Sequence, residues 1–579
     1  MDMTQFLGKK ITKLFRFTVY TLLPLAGGSG VGVACSDMLD TSSELVEFQE
    51  DNTLNHPTDS VYSLMGIINR MQLIADRTVL LGEVRADLVQ PTNAASADLK
   101  RLAAFNMAED NKYNQPSDYY AVINNCNFFL AHVDTALQRR GRQLFINEYA
   151  AVKTFRAWTY LELVKNYGQV PLVLEPVMTE REAASYLDGK RATIKEVCDY
   201  FIADLTPMAY VEPPVYGNVG DHQSATFFIP TRVLLGDLCL WAGRYKEAAA
   251  WYNSYLNDQK EPHQLNPQRR VVWTNITDFQ QPQNAYNSTT SEENISAIPM
   301  ESRVFDGNVS DLQNVFNSTR DNNYFFQLTP SNAMRSLSAS QVYCMEYKTQ
   351  TTTDTVYVPR TGFSNDILIG DLRFFANYTL RSEGGQDPYS EYSTLRQTIS
   401  KCARNTSVST YRLTMIYLRY AEALCRARLP QSAMAVLKYG LCPENNAERI
   451  DSLERVEAGS LITFDANVFT KEGSIGIHSI GSGDAACNAL YDLPMPPTPL
   501  ATRQDTIDYQ VPLVEDLIIQ EMALEGAFEG YRFHDLMRVA LRRGDPSYLA
   551  IPVSRRSGQP DAQLQQLLMN QDNWYLPLP

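Results

Sequence analysis

Most short signatures of catalysis and metal binding are missing from this 579-residue chain. H-E-x-x-H, G-x-S-x-G, G-x-x-x-x-G-K-[ST] and the EF-hand loop do not occur, which removes zincin, hydrolase-elbow, P-loop and calcium-loop chemistry. Histidine is scarce, and His56, His132, His222, His263, His478 and His534 are scattered without metal spacing. No two cysteines form a C-x-x-C pair, so a zinc ribbon or thioredoxin-type site is excluded. No basic run follows the first 16 residues, and the net charge is −15. Phosphate binding needs a basic surface, so nucleic acid is excluded as a partner. An unbroken apolar run of roughly 20 residues, which a membrane-spanning helix needs, is also missing. The longest candidate, FTVYTLLPLAGGSGVGVA, is interrupted by Pro24, Gly27, Gly28, Gly30 and Gly32.

What is present begins at the N-terminus. A basic segment, KKITKLFR, precedes that apolar stretch, and small residues lead to Cys35. This is the plan of an export signal. GVACSDMLD resembles a bacterial lipobox: Val33 and Ala34 suit the two positions before the cysteine, and Gly32 stands where Leu is usual. Residues 1–34 are therefore read as a lipoprotein signal peptide, with Cys35 the lipidated first residue. Several acyl chains on one residue anchor stably where a single chain is marginal. Four cations against Asp2 give the leader +3, so a chain starting at Cys35 stands at −18. Of the remaining cysteines, Cys126, Cys198, Cys239 and Cys425 lie within apolar helical patterns, which favours buried free thiols. Spacing leaves any pairing open.

Helical periodicity dominates two regions. Residues 56–83 place Val61, Leu64, Met65, Ile67, Ile68, Met71, Leu73 and Ile74 at 3.6-residue spacing. Further helices are predicted over 119–137 and 146–168, the latter stopping at Gly168 ahead of VPLV and Pro176. Residues 227–256 and 415–441 each read as a helix, a tight turn and a second helix, with alanines where two helices need close approach. That plan matches tetratricopeptide-type hairpins.

Residues 257–400 differ. Asn, Ser, Thr, Gln, Gly and Pro abound there, with strand-like runs (RVVW, TVYV) and many Tyr and Phe. A second irregular excursion covers 460–512, including GSIGIHSIGSGD and PMPPTP. Long irregular segments in a compact chain usually carry function. The fold class is mostly α: a helical-hairpin scaffold with long irregular, partly β insertions. The boundaries are a leader at 1–34 and one domain at 35–579. Its scaffold is expected over about 50–256, 405–445 and 513–545, and a ligand-side insertion over about 257–400.

The stretch EMALEGAFEGYRFHDLMR, residues 521–538, looks like a catalytic site and reads as a helix surface instead. Glu525 and Glu529 are four apart, Glu529 and Arg532 three, and Asp535 and Arg538 three, spacings at which charges meet along one helical face. Two carboxylates one turn apart do not face each other across a glycosidic bond. Glu525, Glu529, Arg532, Asp535 and Arg538 are assigned a structural role, as are His534 and the pair Asp371 and Arg373.

Six segments together resemble the SusD/RagB family of outer-membrane lipoproteins, nutrient-binding partners of TonB-dependent transporters. They are CSDMLD (35–40), GEVRADLV (82–89), FRAWTYLELVKNYGQVPLV (155–173), GDLRF (370–374), YLRYAEAL (417–424) and the 521–538 stretch. In the last, Glu521, Glu525, Glu529, Gly530, Arg532, Asp535, Leu536 and Arg538 fit the family pattern, and Met522, Gly526 and Val539 depart from it. The resemblance implies a SusD-like fold without cofactor or catalytic residue. It also implies ligand held by loops on one face, and a lid role over a SusC-like outer-membrane barrel. The location implied is the cell outer membrane, lipid-anchored through Cys35 and facing outward. Oligosaccharide is the expected cargo; oligopeptide is the alternative, and a glycan-degrading enzyme the remote one. No ligand residues carry over by motif. By composition and place, the candidates are Gln90, Asn93 and Tyr113 after the early motif, and Trp273, Tyr286, Asn323 and Tyr324 in the aromatic-rich insertion.

Overall fold

The computed structural model describes residues 54, 57–107, 110–220, 222–269, 272–275, 278–280, 293–303, 307–316, 327–348, 351–358, 360–361, 368–373, 377–382, 395–401 and 406–578. Cys35, Tyr286, Asn323 and Tyr324 lie outside them, and of Trp273 only the backbone is described.

Ten of the helices among the described residues form the body of the scaffold. Helix α1 (Pro57–Glu83) buries Leu64, Ile67, Ile68, Met71 and Ile74 on one face and exposes Leu73 on the other. Helix α2 (Pro116–His132) starts with proline in its first turn, where a missing N–H costs nothing. Helix α3 (Ile146–Tyr167) is buried on nearly every side from Ala150 onward. It ends at Gly168, whose φ of 76° and contact with the Tyr575 ring admit no side chain. Helix α4 (Ile194–Leu205) opens with a capping box between Thr193 and Glu196. The two predicted hairpins follow: α5 (Thr231–Trp241) with α6 (Tyr245–Leu256), and α7 (Leu413–Arg426) with α8 (Pro430–Lys438).

Each helix from α1 to α7 packs on the next, so one continuous apolar core runs through the stack. The close approach inside the first hairpin has a local cause. A Cβ on Gly236 would stand 2.4 Å from the Tyr252 ring, so glycine lets Tyr252 lie flat on α5. The Tyr252 hydroxyl then donates to Asp237 Oδ1 at 2.5 Å.

Helix α9 (Arg503–Glu525) packs on α7, and α10 (Arg532–Arg543) returns to α1. Helix α9 begins ten residues before the scaffold boundary read from sequence. Thr502 and Asp505 form a capping box, and Pro512 sits inside the helix, so the prolines that suggested an irregular excursion to 512 do not delay its start. Helix α2 likewise ends at His132, short of the predicted 137.

Among the described residues, every sheet has two strands. Strand β1 (Val89–Pro91) pairs antiparallel with β3 (Leu328–Pro330), and β2 (Asn294–Pro299) pairs with β6 (Ser407–Arg412), which leads directly into α7. Strands β4 (Tyr343–Lys348) and β5 (Thr353–Val358) form a hairpin. The β1–β3 and β2–β6 ladders stitch parts of the 257–400 stretch to the scaffold.

The C-terminal strap is part of the core. Trp574 is fully buried, Leu576 N–H donates to Asn166 O at 2.9 Å, and Asn114 Nδ2 donates to Pro577 O at 3.2 Å.

Candidate ligand-binding site

The β1–β3 ladder decides where the early-loop candidates lie. Gln90 is half-buried and faces Thr329 in register, and Thr92 N–H donates to Gln327 O at 2.9 Å. Asn93 is exposed, and its carbonyl accepts from Lys100 Nζ at 2.7 Å. The structure thus brings Gln90 and Asn93 to the root of the segment that carries Asn323 and Tyr324 in sequence. Tyr113 is placed differently. It is 5% exposed, its hydroxyl has no hydrogen-bond partner among the described residues, and burial pushes that hydroxyl well up. Trp273 belongs to a short strand, Val272–Asn275, paired with Asp278–Gln280.

The 521–538 stretch is not one helix surface. Helix α9 stops at Glu525 and α10 starts at Arg532, with Phe528 (φ 67°) and Gly530 (φ 94°) turning the chain between them. The side chains point inward. Glu521, Glu525, Asp535 and His534 are all at most 4% exposed. Asp535 pairs with Arg538 at 2.8 Å, as the spacing suggested, but Glu529 does not pair with Arg532. Both find partners far away in sequence.

Four cations and five carboxylates form a buried network around the end of α9. Glu525 Oε1 accepts from Arg269 at 3.1 Å and Arg412 at 3.0 Å, and its Oε2 accepts from Arg373 at 3.2 Å. Glu521 accepts from Arg373 at 2.5 Å and contacts His478 Nδ1 at 2.9 Å. Glu529 takes Arg412 at 2.7 Å and Lys401 at 2.5 Å. Glu293 takes Arg269 at 3.0 Å, and Asp371 clamps Arg373 with two contacts of 2.7 and 3.0 Å. Burial alone would keep these glutamates protonated. Arg269, Arg412, Arg373 and Lys401 outweigh it at Glu525 and hold its carboxyl well below the usual range; Arg373 and His478 bring Glu521 down to about 2. A carboxylate ionised this firmly has no proton to give or take near neutrality, and at this depth it reaches no substrate.

The network has a topological property that sequence spacing could not show. Arg269 closes a short helical turn ahead of the strand Val272–Asn275, Glu293 directly precedes β2, Asp371 and Arg373 follow the strand Leu368–Ile369, Lys401 follows the strand Leu395–Ile399, and Arg412 ends β6. The network at the end of α9 therefore joins five separate points of the 257–412 stretch. Arg269, Glu293, Lys401 and Arg412 were not singled out from sequence because each sits in a loop or a strand end without periodicity.

The early motif belongs to the same architecture. Asp87 clamps Arg532 at 2.7 and 2.8 Å, and Arg85 donates to Leu81 O, Trp574 O and Asn166. Gly82 lies on Gly530 so closely that a Cβ would stand 1.7 Å from its carbonyl oxygen. Beside this contact Glu83 accepts from Gly530 N–H at 2.8 Å, while its other oxygen is buried without a partner among the described residues. Burial raises Glu83 to about 7; the N–H donors and Lys401 pull it down, and Glu529 pushes it up. The folded pKa thus lies above the unfolded one, so the stability this acid contributes is complete below about pH 4.5 and is lost as pH rises through 7. Glu83→Gln keeps an acceptor for Gly530 and cannot ionise. Relative to the parent, it is expected to gain on the order of 1–3 kcal/mol between pH 5 and pH 8.5 in urea unfolding; parallel pH curves would refute this.

An interior cavity of about 30 Å³ is lined by Glu162, Lys165, Asp237, Arg419, His534 and Arg538 among others. It has room for one or two waters and is far too small for a sugar. Burial and the surrounding cations hold His534 well below its ordinary range, so it is a neutral wall residue here. No group of three or more His, Cys, Asp or Glu among the described residues could hold a metal ion, and none of the described helices is long and apolar enough to cross a membrane.

A SusD-like family model described as "Starch-binding associating with outer membrane" matches residues 44–215. A SusD-like carbohydrate-binding protein from Bacteroides vulgatus superposes with a TM-score of 0.52 at 15% identity, covering 83% of each chain. One from Bacteroides fragilis gives 0.51 at 15% identity, over 85% of this chain and 88% of that one. A further B. fragilis protein of the SusD superfamily gives 0.55 at 17% identity, over 89% and 95%. No curated protein sequence matches. At these identities the likeness establishes the fold, which is common to nearly the whole described molecule.

Proposed function

We propose that this chain, which matches a SusD-like family model over residues 44–215 and shares its fold with SusD-like proteins, is a SusD/RagB-family protein that binds oligosaccharides at the cell surface and passes them to a SusC-like, TonB-dependent outer-membrane transporter. In this reading it closes over the barrel as a lid, tethered to the outer membrane through acylated Cys35, and alters no covalent bond in its cargo. The observation that carries the reading is the shared fold with solved carbohydrate-binding proteins over more than four-fifths of the chain. Two features of the molecule support it. The charged groups that looked catalytic are spent on one another in the interior. Gln90 and Asn93, moreover, come to the edge of the region where Asn323, Tyr324, Tyr286 and Trp273 lie in sequence.

Titration calorimetry against starch-, fructan-, xylan-, mannan- and mucin-type oligosaccharides tests the reading, with a tryptic peptide pool as the opposing arm. Saturable binding of one glycan class without loss of chain length is expected, together with co-purification of a large barrel from detergent-solubilised outer membranes. Binding confined to peptides would transfer the same role to the other cargo, and turnover of a bound glycan would end the proposal.

A further inference from the structure

Where the first hairpin meets the start of the insertion, a column of stacked groups runs from Tyr255 in the interior to an open ring. At its inner end His263 lies on Tyr255, with centroids 4.3 Å apart and planes at 17°. Tyr255 is 5% exposed, and the His263 carbonyl accepts from the Tyr417 hydroxyl at 2.9 Å, so this end is fixed. The Arg232 guanidinium comes next, 5.8 Å from the Tyr255 centroid and 5.3 Å from that of Tyr210. It is pinned by donating to Ser254 O and to Asp258 Oδ2, each at 2.5 Å. The column ends in Tyr210, which is 69% exposed, with the half-buried Trp251 tilted beside it at 6.2 Å.

A tyrosine this exposed would ordinarily be a single surface residue of no consequence. Here, however, a half-buried and doubly bonded cation, Arg232, backs the ring, which orients it and leaves the ring open to solvent. Close by in sequence are Val215, 73% exposed, and Glu212, which pairs with Lys260 at 3.1 Å and brings a charged, hydrogen-bonding edge. One flat apolar face with a polar rim matches a pyranose ring, whose C–H face is apolar and whose edge carries hydroxyls. The site adjoins the point where α6 ends and the chain enters the 257–400 region.

We infer that Tyr210 and Trp251 form a saccharide-stacking platform at the scaffold edge where the insertion begins, distinct from the candidates Gln90, Asn93, Trp273, Tyr286, Asn323 and Tyr324, which extends the protein's grip along an oligosaccharide. The inference rests on the glycan-binding reading above. Its test uses the full chain and whichever oligosaccharide of the five-class panel binds the wild type. Tyr210→Ala is expected to weaken that binding about tenfold, as loss of a central aromatic contact does. Tyr210→Phe, which keeps the ring, should stay within about twofold, and both variants should melt with the wild type because the side chain is exposed. Trp251→Ala should weaken binding in the same direction. If wild type binds and Tyr210→Ala binds equally well, the platform is refuted while the glycan reading stands. If Tyr210→Ala instead loses only the barrel in co-purification, the ring is a protein contact and the inference is overturned. A wild type that binds no glycan removes both.

Discussion

Glu525→Ala is expected to destabilise the protein by about 3–5 kcal/mol, the largest effect of any single substitution in the ion network. Glu525 Oε1 lies between two guanidiniums, those of Arg269 and Arg412, and its Oε2 meets a third, that of Arg373. Each arginine keeps another carboxylate: Glu293 for Arg269, Asp371 and Glu521 for Arg373, Glu529 and Glu293 for Arg412. What alanine removes is the negative charge that lets Arg269 and Arg412 approach each other in a site from which water is excluded. Glu525→Gln preserves volume but offers one acceptor oxygen to three cations and turns an N–H₂ toward them, so it is expected to be nearly as costly. By contrast, Glu448→Gln breaks an exposed pair with Lys471 and should leave the unfolding midpoint unchanged.

The same network sets the acid limit. Glu521, Glu525 and Glu529 all have folded pKa values below their unfolded ones, because the surrounding arginines and Lys401 override burial. Their contribution is complete above about pH 4.5 and is lost as pH falls toward about 2. Urea unfolding from pH 6 to pH 2.5 should therefore show a steep decline for the wild type and a shallower one for Glu525→Ala. A variant whose decline is as steep, or whose midpoint at pH 7 matches wild type, would show that the network contributes little.

Why this network escaped a reading of the sequence is instructive. Helix existence, and the α5–α6 and α7–α8 hairpins, followed from local periodicity and turn residues, which is information carried within a dozen positions. The spacing of Glu525, Glu529 and Arg532 carried information of the same local kind, and it suggested a solvent-facing helix with pairs along one side. The chain breaks at Gly530 because α1 approaches there: a Cβ would clash with Thr78 O at 2.2 Å. That contact joins residues some 450 positions apart, and no local pattern encodes it. Once the turn forms, Glu529 and Arg532 leave a common face and find Arg412 and Asp87 instead. Tyr113 shows the limit for the candidate ligand residues. It was chosen by composition and place, and the folded chain leaves it 5% exposed. Gln90 and Asn93 were chosen on the same grounds, and the β1–β3 register, another long-range fact, is what sets Gln90 opposite Thr329 and Thr92 against Gln327.

Cys487→Ser is expected to lower stability by up to about 5 kcal/mol, through a bond whose pairing the sequence left open. Cys344, in β4, is joined to Cys487 across 143 residues with a Cα–Cα distance of 6.5 Å. Loop-closure entropy grows slowly with length, and a closed loop this long restricts the unfolded chain by about that much. The folded geometry should survive the loss, because backbone contacts run parallel to the bond. Asp484 N–H donates to Cys344 O at 2.7 Å, and Asn488 Nδ2 donates to Val342 O at 3.2 Å. Those contacts in turn rest on the ion network: Gly481 O accepts from Leu372 N–H at 2.8 Å, and Ser482 donates to Asp371 at 3.1 Å. The variant should therefore keep its helical circular dichroism and its native midpoint order, yet unfold at lower urea. Wild type treated with reductant should unfold where the variant does. Among the described residues the free cysteines are buried in the folded chain, and the Cys126 and Cys239 thiols are pushed up to about 12, which disfavours the thiolate that attacks a disulfide. Equal urea midpoints for oxidised wild type and Cys487→Ser would show that the unfolded chain gains nothing when the bond is cut.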